Sequence, residues 1–119
     1  MSHLVSIQTK VRDVVAVAAA CHRLGLASPE QGTAKLYSGT ATGVLVRLPG
    51  WQYPAVVDVD SGEVRFDNFE GRWGDRKELD RFLQLYAVEK TKLEARKKGH
   101  AVTETQLQDG SIRIQIATA

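Results

Sequence analysis

The sequence predicts an α+β fold: an antiparallel sheet with two helices packed on one face, in the order β-α-β-β-β-β-α-β-β, as a single domain over residues 1–119. Three observations predict it. Two segments place apolar residues at three- and four-residue steps, the period of an amphipathic helix. Short apolar runs are separated by Pro49-Gly50, Asp60-Ser61-Gly62 and Asp109-Gly110, which are turn signals. Two helices on one sheet face is the simplest packing that covers all of these stripes.

Val5 to Thr9 alternates and reads as the first strand. A helix follows over Asp13–Leu24, with Val14, Val17, Ala18, Cys21 and Leu24 as its apolar stripe and Gly25 as its stop. Ala27 to Thr33 reads as a loop, Lys35 to Tyr37 as a short strand, and Gly39 to Gly43 as a small-residue turn. Val44–Leu48, Tyr53–Val59 and Glu63–Asp67 form an antiparallel meander. Pro54 starts its strand or puts it at an edge, because proline has no N–H for the ladder. Asn68 to Gly74 is a loop holding Phe69 and Trp73.

The long helix spans Arg76–Lys98. Asp75 and Glu78 have capping-box spacing. Arg96, Lys97 and Lys98 place positive charge at the helix end, where it complements the dipole, and Gly99 ends it. Ala101–Leu107 and Ser111–Ile116 pair through Asp109-Gly110. Ile112, Ile114 and Ile116 share one face of this hairpin, and Arg113 and Gln115 the other.

Hydrophobic residues make up 43% of the chain and charged residues 25%, the balance of a globular domain. No apolar run approaches the ~20 residues of a membrane-spanning helix. The opening has no basic region followed by an apolar run, so no signal peptide is read. The lone Cys21 excludes an intrachain disulfide, and a reducing, cytoplasmic location is expected. The three histidines lack ligand spacing, so no metal is expected, and no glycine motif points to a cofactor. Cys21 and His22 diverge by about 100° on a helix, which argues against a nucleophilic pair.

On the long helix, Leu79, Phe82, Leu83, Tyr86 and Leu93 make the buried stripe, and Lys90 falls within it. Two readings stand open. The lysine stem covers the core while its ammonium reaches water or an acid. Alternatively, Tyr86, Lys90 and Asp58 build a small-ligand or enzymatic site, with Asp58 as the buried partner. Asp58 equally begins the Asp60-Ser61-Gly62 turn. Trp73 reads as a staple over the helix start, and Trp51, beside Pro49-Gly50, as an exposed contact aromatic. The helix carries eight basic residues against four acidic ones, but they are scattered around it. With a net charge of only +2, nucleic-acid binding ranks third.

Met1-Ser2-His3-Leu4, Ile7-Gln8-Thr9 and Val11-Arg12-Asp13 resemble the start of the cyanobacterial and plastid hypothetical chloroplast frame thirty-five family, a domain of unknown function. Gln84-Leu85-Tyr86-Ala87-Val88-Glu89-Lys90 is similar to its Gln-x-Tyr-Ala-x-x-Lys segment. Ala95-Arg96-Lys97-Lys98-Gly99-His100 and Asp109-Gly110-Ser111-Ile112-Arg113-Ile114 resemble its helix end and final hairpin. The middle, from Ser28 to Trp73, aligns only loosely, with Val56-Val57-Asp58 as its closest piece. His100 stands where the family commonly has an aromatic, and Ala117-Thr118-Ala119 lacks its aromatic and basic tail. The resemblance implies an accessory role near an AAA-type ATPase and adds weight to Tyr86 and Lys90.

The leading expectation is therefore a non-enzymatic adaptor or assembly factor that binds another protein. Its contact surface is expected at Arg113 and Gln115 of the hairpin, Arg96 at the helix end, and Trp51. Pairing of exposed strand edges between copies is left open.

Overall fold

The structure, a computed structural model, describes residues 4–117. The family-like opening Met1-Ser2-His3 and the closing Thr118-Ala119 lie outside the described residues. The elements are β1 (Val5–Gln8), α1 (Val14–Arg23), β2 (Glu30–Leu36), β3 (Gly39–Val46), β4 (Ala55–Asp58), β5 (Glu63–Phe66), α2 (Arg76–Lys97), β6 (Ala101–Gln106) and β7 (Ile112–Ala117), with a single 3-10 turn at Phe69–Gly71 before α2. Their order is the one read from the sequence. An antiparallel five-stranded sheet runs β1-β5-β4-β3-β2, and β6-β7 forms a separate two-stranded sheet.

Register explains which face the helices take. Ile7, Val64, Val57 and Val44 stand in one cross-strand row, and Val46 opposes Ala55 on the same side. This side packs on Ala16, Val17, Ala20 and Cys21 of α1 and on Leu79, Phe82, Leu85 and Tyr86 of α2. Phe66 and Phe82 are fully enclosed there, each burial contributing about 2–3 kcal/mol. The opposite face carries a smaller cluster of Leu36, Ala41 and Val56, joined by Leu45 and Tyr53.

Two local readings change, and the alternative left open at Pro54 is decided. The segment read as a loop, a short strand and a turn is one hairpin, with Glu30–Leu36 paired to Gly39–Val46 around Tyr37 and Ser38. Gly43 is a spacer within this hairpin: a Cβ there would lie 2.4 Å from the Val57 carbonyl oxygen. The α1 stripe is rotated by about one residue. Ala16 and Ala20 face the core, whereas Val14 is 50% exposed and Ala18 lies in solvent. Small alanines let the helix sit close to the sheet and to α2. The β4 strand begins after Pro54 and lies in the sheet interior, so the edge alternative is not adopted.

Both helices are capped by the residues their sequences offer. Asp13 accepts the Val15 and Ala16 N–H groups, and Asp75 accepts that of Lys77. At the end of α2, Gly99 takes φ +75°. Its N–H and that of His100 donate to the Arg96 and Ala95 carbonyls, a Schellman closure. On α2, Leu85, Val88 and Ala95 are buried in addition to the expected stripe, while Leu83 and Leu93 are half-buried. The wider apolar arc serves two partners, because the β6–β7 hairpin also packs on α2. The hairpin closes through a short loop: Leu107 N–H donates to the Ser111 carbonyl, and Gly110 adopts φ +88°.

Candidate functional site

Tyr86 and Lys90 are brought together, and they meet at the start of α1. The Tyr86 phenol oxygen accepts the Arg12 and Asp13 backbone N–H groups, each at 3.1 Å. One turn on, the Lys90 ammonium donates to Asp13 Oδ2 at 2.9 Å and to Glu94 Oε1 at 2.8 Å. Asp13 therefore works twice, with Oδ1 capping α1 and Oδ2 pairing with α2. The hydrogen bond from Lys90 holds the Asp13 carboxyl below its usual range, while Glu94 and Asp13 push the Lys90 ammonium up. The Lys90 side chain remains 38% exposed, with its head in an ion triad with Asp13 and Glu94.

Asp58 is placed elsewhere. Its carboxylate accepts the Asp60 and Ser61 N–H groups and so shapes its own turn. Lys90 takes Asp13 and Glu94 as acids instead. Asp13 was the residue the site reading missed. Its signal was an N-cap at the head of α1, but its pairing with Lys90 spans 77 positions.

A second ionic group ties the hairpin to both helices. Arg23 at the end of α1 bonds both carboxylate oxygens of Glu104 on β6 and reaches Glu89 on α2 at 3.4 Å. Lys92 joins Glu89 at 3.2 Å and Glu104 at 3.5 Å. Chiefly through Arg23, the Glu104 carboxyl is held below its usual range. These contacts tie β6 to both helices; in the two-stranded sheet each strand bonds only the other, so the outer edges of β6 and β7 both lack a strand partner. Along β7, two depressions open over α2. One, of about 260 Å³, is walled by Ala87, Val88, Thr91, Ile112 and Ile114. The other, of about 490 Å³, shares Thr91 and continues past Ala95 to Ile116, Lys98 and His100.

Arg113 and Gln115 lie exposed on the hairpin face turned away from α2, opposite Thr105 and Thr103. Arg96 projects from α2 near its end, and among the described residues no hydrogen bond or ion pair links it to either. Both tryptophans are half-buried, and Trp51 rather than Trp73 lies over the start of α2. Trp51 lies against Gly74, where a Cβ would come within 2.4 Å of the ring, and its Nε1–H donates to the Asp75 carbonyl at 3.0 Å. It packs edge-on to Phe66 and so is the staple at the start of α2. Trp73 instead joins Tyr37, Tyr53 and Phe69.

Cys21 is fully buried, and burial pushes its thiol up to about 11, the state of an inert core cysteine. No group of three or more histidine, cysteine or acidic side chains able to hold a metal occurs among the described residues. No helix among them is long and apolar enough to cross a membrane. No family model, curated protein or solved structure matches the chain.

Proposed function

We propose that this chain is an adaptor that binds an extended segment of another protein along the free edge of β7. One observation carries the reading: an unpaired strand edge runs beside two neighbouring depressions lined by α2 that share Thr91. An added strand takes the open N–H and C=O groups of β7, and its alternate side chains, about 7 Å apart, enter the two depressions. Apolar side chains fit Ala87, Val88, Ala95 and the three isoleucines, and a carboxylate fits the Lys98 and His100 end. Arg113 and Gln115 flank the same strand on its outer face. The resemblance to the hypothetical chloroplast frame thirty-five family makes an AAA-type ATPase the first partner to try.

The test is capture by the full chain, identification of the bound protein by mass, and rebinding of its segment as a synthetic peptide. Ile116→Glu places a charge on a residue that is 46% exposed, so the fold is kept. Loss of peptide binding at an unchanged melting temperature supports the β7 edge; equal binding rejects it. Alanine at Arg113 and Arg96 tests the contribution of the flanking charges in the same assay.

A ligand or enzymatic site on Tyr86, Lys90 and Asp58 has less support, because the phenol and the ammonium already serve the start of α1. Nucleic-acid binding has less again. Four of the eight basic residues from Arg76 to Lys98, namely Arg76, Lys90, Lys92 and Lys97, pair with a carboxylate, and the net charge is only +2, which gives a phosphate backbone little to hold.

A further inference from the structure

A further cleft, of about 400 Å³, lies where the end of α1, the first half of α2 and the turn end of the β6–β7 hairpin meet. That volume suits one small ligand. Its apolar lining is Leu24, Leu85 and Ile112, of which Leu85 is buried and the other two are half-buried. Its polar lining is Arg23, Arg81, Gln84 and Gln106, and no carboxylate is among the residues that line it. An apolar floor with a few converging polar groups is the form of a small-molecule site.

The charge of the cleft depends on which cations are already matched. Arg23 bonds both oxygens of Glu104 and reaches Glu89, and Lys92 joins the same two acids. Two cations meet two carboxylates, so that group is neutral as a whole. Arg81 differs. Among the described residues its guanidinium has no ion pair and no hydrogen bond, and Asp80 beside it pairs with Arg76 instead. One unmatched positive charge therefore lines the cleft. The end of α1 does not oppose an anion there. The Ala20, Cys21 and His22 carbonyls accept the Leu24, Leu26 and Gly25 N–H groups, which blunts the negative end of the helix dipole.

Arg81 and Leu85 are four residues apart on α2 and share one helix face. A carboxylate held by the guanidinium fork can thus lay its substituent along Leu85, toward Leu24 and Ile112. The Gln84 amide donates to the Gly110 carbonyl at 3.2 Å, which fixes that side chain and ties the hairpin turn to α2 as a wall. We infer that the cleft binds a small monocarboxylate with an apolar body, its head on Arg81 and its body over Leu24, Leu85 and Ile112. A phosphate ester brings a second charge for which the lining holds no second unmatched cation, and inorganic phosphate leaves the apolar floor bare. The cleft adjoins the 260 Å³ depression and shares Gln84 and Ile112 with it, but Arg81 and Leu24 do not line that depression. The site is therefore independent of the β7 reading.

The test titrates the full chain with hexanoate and follows backbone and side-chain amide resonances. Saturable shifts are expected at Leu24, Arg81, Leu85 and Ile112, with hexanol and inorganic phosphate each at least about tenfold weaker. Arg81→Gln, at an exposed position, should leave the melting temperature unchanged and weaken hexanoate about tenfold, since the fork is lost. Ile116→Glu lies outside the cleft and should bind hexanoate as the parent does, which keeps this outcome separate from that of the β7 edge. The absence of saturable shifts at millimolar hexanoate overturns the proposal. So does an equal response to hexanol, phosphate binding tighter than hexanoate, or an Arg81→Gln protein that binds as well as the parent. Loss of hexanoate binding in Ile116→Glu places the ligand in the β7 depressions and overturns it too.

Discussion

Tyr86→Phe separates a fastening role from a ligand role for the best-placed polar group in the chain. The ring is 5% exposed and stays in place in the variant. What is lost is an oxygen that accepts the Arg12 and Asp13 N–H groups at 3.1 Å and lies 3.5 Å from the Lys10 carbonyl. Each lost bond costs about 1 kcal/mol net, and more where the orphaned N–H is shut off from water. The start of α1 is only partly buried, so about 2 kcal/mol in all is expected. For 119 residues, with about 2 cal/mol/K of unfolding entropy each, that lowers Tm by about 8 °C. Urea and thermal unfolding measure it. A cycle with Lys90→Met adds a second readout. Both side chains act on Asp13, so their effects should couple by about 0.5 kcal/mol or more. A Tyr86→Phe protein within about 0.3 kcal/mol of the parent, with no coupling, would refute the fastening argument and return the phenol to the ligand reading.

Two further outcomes follow from the same geometry. Gly43→Ala drives a Cβ to 2.4 Å from the Val57 oxygen and 2.9 Å from its carbon, so β3 and β4 must part, and a loss of about 3 kcal/mol is expected by urea titration. Gly39→Ala, with nothing within 4 Å, should stay within about 0.5 kcal/mol of the parent. The second concerns acid. Glu104 is held low by Arg23, so its folded pKa lies below the unfolded value of about 4.3. Its contribution is therefore present above about pH 4.3 and is lost as pH falls through the folded value. Amide-exchange protection of β6 and β7 should drop over that range ahead of the five-stranded sheet, and Glu104→Gln should already show the loss at neutral pH. Hairpin protection that falls only together with the sheet would count against the Arg23–Glu104 tie.

What could be read from the chain was what neighbours along it decide. Asp75 as a cap, Gly99 as a helix stop and Asp109-Gly110 as a turn each depend on groups within a few residues, and each lies where its local chemistry places it. The element order follows, because apolar period separates helix from strand. The misread glycine shows the limit of such reasoning. Gly43 looks like a turn residue in sequence, yet it serves as an empty position against a strand that follows later in the chain.

The groups with chemistry to offer were decided only by tertiary structure. Lys90 was legible as an anomaly on an apolar stripe, and Glu94 lies one turn along the same helix, but its second acid, Asp13, was set by how α1 meets α2. Trp51 and Trp73 are indistinguishable as aromatics beside turns. Gly74 leaves room under one ring, while three separate loops gather around the other. Arg23, Glu89, Lys92 and Glu104 tie β6 to both helices, and this tie joins residues far apart in the chain. Hydrogen bonds within a turn are short-range and write themselves into residue spacing. The crossing of two helices and the side of a hairpin that meets them come from packing summed over the whole core, which no local pattern encodes.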